Sequence, residues 1–325
     1  MGNKNIKDFW IKKINNQSII SFEELKGGVS SDVYKVKTSE NTYCVKRSVP
    51  KLRVKKEWYA DTKRLKYEFF WLSHCKKIIP NRIPYVYNFI QKKDYLILEY
   101  FNNKKFDTLK SHLLNKKIEK KIIIKISKDL FKIHKESSTN TIKKKFINNS
   151  KNFYDLRLDA YFNELARVYP KLKKKVKNVL ISYEKNSSTL VHGDFSPKNI
   201  LVSDNKIKYI DAETSNFGDP AFDVVFFSNH LLIKSIFIPS KKKEFINCYK
   251  KFFYTYLSSL KKSDKPNFFN RCAIMIPLML LARIDGKSPV EYIVKDKIKN
   301  KIRLLSFRLI KETPNNLENL IKKIT

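Results

Sequence analysis

The sequence predicts an α+β protein of two lobes, a small β-rich N-terminal lobe and a larger helical C-terminal lobe. Three observations lead there. Up to Phe101 the apolar residues alternate with period two between turn residues, and beyond it they recur at helical spacing. A polar loop, His192 to Asn199, stands between two short hydrophobic runs, and a further carboxylate, Asp211, follows twelve residues after the asparagine. The chain holds only six glycines, and apart from Gly2 they sit at 27–28, 193, 218 and 286, positions where a missing Cβ counts most.

In chain order, IISFEELKGGVSSDVYKVKT (19–38) reads as a hairpin region turning at Gly27-Gly28, with alternation at Val33, Tyr34 and Val36. NTYCVKRSV (41–49) is the next strand, and its parity separates Cys44 and Lys46 from Tyr43 and Val45. Residues 55–77 look helical and carry Glu57 and Glu68. Residues 83–101 give two strands around a Lys-Lys-Asp turn. Helices follow at about 104–137 and 153–184, then a strand pair within 189–211, then helices at 220–235, 241–260, 268–284 and 289–312. The lysine-rich stretch 138–152 reads as a surface loop. The partition expected is residues 1–98, a hinge at 99–103, and residues 104–325, with the ligand site in the crevice between lobes.

Composition bounds the function. The net charge of +37 invites nucleic acid, but 58 of the 68 basic residues are Lys and only ten are Arg, scattered along the chain. Readers of bases and phosphates favour the bidentate fork of Arg, so the expectation is no specific nucleic-acid partner and only salt-sensitive adhesion to polyanions. Four distant cysteines without a C-x-x-C pair read as free thiols in a reducing cytoplasm rather than as a zinc site. The N-terminus lacks the apolar core of a signal peptide and fails the myristoylation pattern. The longest apolar run, 273–282, is ten residues with Pro277 inside and reads as a core helix, not a membrane span. Oligomeric state is left open.

The chemistry concentrates in LVHGDFSPKNILV and KYIDAE. Asp194, Asn199 and Asp211 supply what phosphoryl transfer of the kinase type requires: one carboxylate to orient a hydroxyl, and an amide oxygen and a second carboxylate to hold magnesium. The bland alternative is an Asx-turn in which Asp194 and Asn199 serve only the backbone. Against it stands a window from Tyr209 to Ile233 with no Lys or Arg, which carries Asp211, Glu213, Asp219 and Asp223. Burial of the FDVVFF helix would produce the same window, and both explanations stay open.

With these residues in place, the chain resembles the aminoglycoside phosphotransferase/choline kinase superfamily, within the bacterial phosphotransferase subgroup. LKGGVSSDVYKV resembles that family's nucleotide loop, CVKR its strand lysine, YEFFWL its helix glutamate and LILEY its hinge strand. HGDFSPKNIL matches its H-x-D-x-x-x-x-N loop, and IDAE with GDPAFDVVFF its metal segment and following helix. The resemblance implies a protein-kinase-like two-lobed fold and transfer of the γ-phosphoryl group of ATP, with GTP possible, as the Mg²⁺ complex. The acceptor would be a hydroxyl of a small metabolite: an amino sugar, a sugar, a choline-like alcohol or an amino alcohol. Departures are the absence of G-x-G-x-x-G, D-F-G and A-P-E elements, and only seven residues between Asp211 and Asp219, too short for a loop that docks protein. The rival readings are a protein kinase, a catalytically silent kinase-shaped binding module, and a charge-driven nucleic-acid binder.

The resemblance also distributes roles. Asp194 orients the hydroxyl or accepts its proton. Asn199 and Asp211 hold magnesium, with Glu213 adding a nearby contact. Lys46, paired with Glu68 (or Glu57 if Glu68 faces away), binds the α/β-phosphates, and Gly28, Ser30 and Ser31 lie over them. Backbone from Glu99 to Phe101 binds adenine. His192 fixes the loop, and Asp223 braces it. From the residues rather than the resemblance, Arg157, His230, Arg283 and Asp285, with Lys287, are the candidate acceptor contacts, the alternative being that RIDGKSP is a helix-ending turn capped by Ser288-Pro289. If they line the pocket, the acceptor carries an anionic or polar hydroxylated group, since a choline site would need carboxylates or an aromatic cage.

Overall fold

The computed structural model describes residues 19–25, 30–53, 57–204 and 206–325. Gly27 and Gly28 lie outside them. Five strands, β1 (Ile19–Glu24), β2 (Ser31–Thr38), β3 (Thr42–Ser48), β4 (Val86–Ile90) and β5 (Tyr95–Glu99), form an antiparallel sheet in the order β1-β2-β3-β5-β4. Register sets Lys46 opposite Val33 on one side and Leu96 on the other. The strand alternation divides the two faces. Tyr34, Val36, Tyr43, Val45, Tyr95 and Ile97 make a small cluster of their own. Leu96 and Leu98 join the main core with Leu65, Trp71, Leu72 and Cys75 of helix α1 (Arg64–Ile78). Parity therefore sends Lys46 to the helix side, where Glu68 waits.

The helix begins at Arg64, nine residues later than expected from sequence. Between Lys51 and Tyr59 the chain makes an isolated bridge instead, and Glu57 pairs on the surface with Lys51 at 3.0 Å. The turn after β4 ends at Asp94 in the left-handed region (φ 50°), a conformation Asp tolerates better than most residues.

The rest of the chain is mostly helical. After the two-residue strand β6 (Asp107–Thr108) comes a short helix, Leu109–Leu114, capped by the Thr108 side chain, and then α2 (Lys120–Glu136). The one helix expected over 104–137 is thus split. The lysine-rich stretch expected as a loop is helical: Asn140–Phe146, a tight turn, then a helix from Ser150 that is π-wound over Tyr154–Asn163 and regains α geometry to Val168. Ile142, Phe146, Asn149 and Phe153, spaced four, three and four apart, are buried, while Lys143, Lys144, Lys145 and Lys151 face out. Helical spacing of the apolar residues outweighs composition there.

Helix α3 (Lys173–Lys185) leads to β7 (Thr189–Val191). The strand pair expected within 189–211 is two pairings: β7 joins β10 (Asn216–Gly218), and β8 (Ile200–Ser203) forms a hairpin with β9 (Lys206–Tyr209) and pairs β6. The loop 192–199 therefore bridges two sheets. Helices α4 (Ala221–Phe237), α5 (Lys242–Ser259), α6 (Lys265–Asp285), α7 (Asp296–Lys311) and α8 (Leu317–Ile324) complete the helical part. Helix α6 is long and apolar enough by composition to cross a membrane, but most of that apolar stretch is buried against α4 and α7. All four cysteines are free, with Cys75, Cys248 and Cys272 buried and Cys44 half-buried.

Candidate active site

The site gathers where α1, β3 and the segment after β9 meet. Lys46 Nζ lies 2.7 Å from Glu68 Oε2, contacts Asp211 Oδ1, and stands 3.8 Å from Glu213 Oε2. Asp211 N–H donates to the other oxygen of Glu68 at 3.1 Å. Asp211 holds φ 64°, a backbone state that costs energy for a residue other than glycine and marks functional turns. Glu213 accepts from Ser31 Oγ (3.3 Å) and from Arg64 Nε (3.2 Å). Arg64 is wholly buried; its other nitrogens donate to the carbonyls of Ser30, Val49 (2.8 Å), Ala60 (3.3 Å) and Asp61 (2.8 Å). Ser30 and Ser31 are thus tied by backbone and hydroxyl to this cluster.

Two cations, Lys46 and Arg64, face three carboxylates here. Burial pushes the Glu68 carboxyl up to about 7. Burial alone would lower the Lys46 ammonium, but Asp211, Glu68 and Glu213 reverse this and hold it well above the usual lysine value. Burial would likewise raise Asp211, and Lys46 with Lys198 outweighs it and holds that carboxyl far below the ordinary range. Glu68, Asp211 and Glu213 bring carboxylate oxygens within 4.8 Å of one another.

The loop 192–199 is fixed from beneath. Asp223, fully buried at the start of α4, accepts the N–H of His192 (2.6 Å) and of Gly193 (3.0 Å). His192 receives the Asp194 N–H on Nδ1 (3.2 Å) and donates from Nε2 to Ile210 O (3.1 Å), and its ring packs edge-on to Trp71. Burial lowers its pKa, so the imidazole is neutral and serves as a clip. Gly193 has φ 76°, and a Cβ there would stand 2.4 Å from Thr214 O, so only glycine fits. Asn199 Nδ2 donates to Asp194 O at 3.0 Å, which leaves its amide oxygen for another partner.

Asp194 is buried and meets two cations, Lys198 Nζ at 3.0 Å and Arg157 Nη2 at 3.2 Å. Burial would raise its carboxyl; Lys198 and Arg157 outweigh that and hold it below the usual value. Arg157 projects from the π-wound stretch and also donates to Gly193 O. Lys198, Arg64, Asn149 and Asn152 were not singled out from sequence. The two asparagines donate to the carbonyls of Glu213 and Ser215 and hold the segment after Asp211 in place. Arg64 had a signal, as one of ten arginines, one helical turn before Glu68.

Of the other sequence candidates, His230 and Arg283 line a cleft with Lys198, while Asp285 does not. Asp285 is bound to Arg303 and to Tyr169 OH (2.7 Å), and Lys287 to Asp159 at 3.3 Å. In the segment expected as a hinge, the Glu99 carboxylate accepts from Tyr85 N–H (3.0 Å), and Phe101 packs on Phe106.

The chain matches the family described as "Phosphotransferase enzyme family" over residues 21–235. No curated protein matches it in sequence. Among solved structures it is similar to a spectinomycin phosphotransferase in complex with ADP and spectinomycin, at 16% identity, covering 100% of this chain and 98% of that one with a TM-score of 0.53. It is similar to an ethanolamine kinase of Plasmodium vivax at 14% identity, covering 94% and 87%, with a TM-score of 0.57. It is similar also to a choline kinase of Streptococcus pneumoniae at 15% identity, covering 95% and 98%, with a TM-score of 0.50. At such identities the likeness speaks to the fold, a kinase-like α+β fold with a sheet at the N-terminal end and helices beyond it.

Proposed function

Because the chain belongs to the phosphotransferase enzyme family, we propose that it moves the γ-phosphoryl group of ATP, bound with magnesium, to a hydroxyl of a small metabolite. The observation that carries this reading is the position of Lys46 between Glu68 and Asp211, beside a loop whose Asn199 is pinned to the Asp194 carbonyl. The donor set fits magnesium: Asp211 and the Asn199 amide oxygen are hard oxygen ligands, and carboxylates outnumber cations in the cluster. When bound, the ion would neutralise charge on the phosphates.

The chain's own residues do the rest by position and charge. Lys46, held by Glu68, meets phosphate oxygens. Arg64 and Ser31 fix Glu213, so that the segment from Asp211 keeps its unusual backbone state. Asp194 accepts a hydrogen bond from the acceptor hydroxyl and aims it. Its depressed pKa suits orientation more than strong basicity, as expected where the transition state has little need of a base. Asp223 and His192 hold the loop so that this aim is not lost.

Asp194→Asn tests the reading. Transfer should fall by about 10²–10⁴-fold, while the magnesium-dependent thermal shift given by ATP persists. Retained transfer in that variant would sink the assignment. Loss of the nucleotide shift in the unmodified protein would favour a kinase-shaped binding module.

A further inference from the structure

Lys198 faces two ways. Its ammonium reaches Asp194, and its side chain lines a cleft shared with Lys110, His230, Arg283, Glu291 and Tyr292. The lining sets three cations against one carboxylate. Glu291 is taken by Lys110, and Lys198 has Asp194. Arg283 has no carboxylate partner among the described residues: Nη1 meets only Tyr161 OH (3.0 Å) and Ser288, and Nε is buried with no partner. His230 is 8% exposed, packs its ring against Phe226, and makes no hydrogen bond among the described residues.

One layer behind Tyr292 lies Lys234, fully buried in α4. Its ammonium stands 3.2 Å from Tyr292 OH and 4.9 Å from that ring's centre, with no carboxylate in ion-pair range among the described residues. Burial, reinforced by Lys110 and Arg283, pulls it down to about 7, and burial lowers His230 as well. A lysine shut away without a counter-ion weakens a fold relative to an apolar side chain of like size. Structure alone gives no reason to keep it, and an anion brought in from outside does.

We propose that the acceptor is an alcohol carrying an oxyanion, a carboxylate or a phosphate monoester, which seats on Arg283 with His230 beside it, Lys234 one layer behind Tyr292, and its hydroxyl toward Asp194. This rests on the phosphotransferase reading. The hydroxyl oxygen attacks the γ-phosphorus, the bond from that phosphorus to the β,γ-bridging oxygen breaks, and ADP leaves with the electron pair. The hydroxyl proton passes to Asp194 or solvent. Cationic acceptors such as choline would meet repulsion from Arg283, whose charge no carboxylate among the described residues balances.

The test is calorimetric binding to the full chain with Mg-ADP present, using four small alcohols that differ in charge: glycerate, glycerol 3-phosphate, glycerol and choline. One or both anions should bind at millimolar concentration, and which one tells carboxylate from phosphate. Glycerol and choline should not bind. Arg283→Met should weaken the anion at least about tenfold, the loss of one charged hydrogen bond, with Mg-ADP affinity unchanged, and Arg283→Lys should recover part of it. Lys234→Met should weaken the anion while raising the melting temperature, a combination that damage to the fold cannot produce. Choline binding above both anions, no binding of either anion, or unaltered anion binding in Arg283→Met and Lys234→Met would overturn the proposal. Anion binding without any nucleotide binding or transfer would instead count against the phosphotransferase reading and leave the anion site standing.

Discussion

Two buried lysines of this protein live under opposite conditions. Lys46 stands among Glu68, Asp211 and Glu213, in a cluster where carboxylates outnumber cations. Lys234 stands near Lys110 and Arg283, and among the described residues its ammonium has a phenol for its hydrogen-bond partner. The first ammonium is held well above its ordinary pKa and the second pulled down to about 7. Both are buried, so burial alone does not explain the difference; the company does. One cluster has carboxylates in excess and the other cations. Under the proposed reading, the first would take a magnesium–nucleotide complex and the second an anionic alcohol.

The largest expected effect comes from removing Lys46. Lys46→Met leaves Glu68 and Asp211 without their cation, and breaking a buried pair by deleting one partner costs about 3–5 kcal/mol. The matched change at Lys234 has the opposite sign, neutral to about 1–4 kcal/mol stabilising, because it leaves a phenol behind and no carboxylate. Urea denaturation of the two variants side by side gives the comparison directly. Equal destabilisation would mean that Lys234 has a counter-charge after all, and the contrast would fail.

Sequence carried the Lys46 end well and the Lys234 end poorly, for a physical reason. Lys46, Glu68, Asp194, Asn199 and Asp211 sit in short local patterns: strand parity, a loop between two hydrophobic runs, a window without basic residues. Asp223 as the brace of the loop and His192 as its clip follow from the same motif, and the contacts at 2.6 and 3.2 Å match those expectations. The acceptor end is assembled from residues as far apart as 110 and 292, which no local pattern brings together. Lys234 is one of 58 lysines, distinguished only by where α4 buries it. Asp285, two residues beyond the cleft residue Arg283 on the same helix, faces Arg303 instead because two steps of about 100° each carry it away from the cleft. The helix through 140–153 was hidden by composition, since lysines on its outer side mask a regular apolar face.

Stability against pH gives the next effect. Lys234 titrates near 7 when folded and at the ordinary 10.5 when unfolded. Between those values the unfolded chain holds a proton that the folded chain lacks, so this group makes stability rise with pH, and its contribution is lost as pH falls toward 7. Lys110, Arg283, Glu291, Tyr292 and His230 face it, and only Glu291 opposes the depression. The slope of unfolding free energy between pH 7 and 9 should therefore flatten in Lys234→Met. An identical slope in both proteins would place the titration elsewhere. Binding of an oxyanion should take up a proton near pH 8, visible as a heat of binding that varies with the ionisation enthalpy of the buffer.

The smallest effect belongs to Glu291, and it sharpens the comparison most finely. Among the described residues it is the carboxylate lining the proposed acceptor cleft, its side chain is 64% exposed, and it spends its charge on Lys110. Glu291→Gln frees Lys110 and removes a negative charge that acts on Arg283. For a simple anionic alcohol, affinity should then rise by a factor of about 2–5, the size expected for a solvent-screened charge, and the gain should shrink with added salt. If affinity falls instead, Glu291 is a ligand in its own right, and an exposed carboxylate facing unpaired cations across one cleft describes a site for a zwitterion. The acceptor would then carry an ammonium beside its oxyanion, with Arg283 and Lys234 reading one group and Glu291 the other.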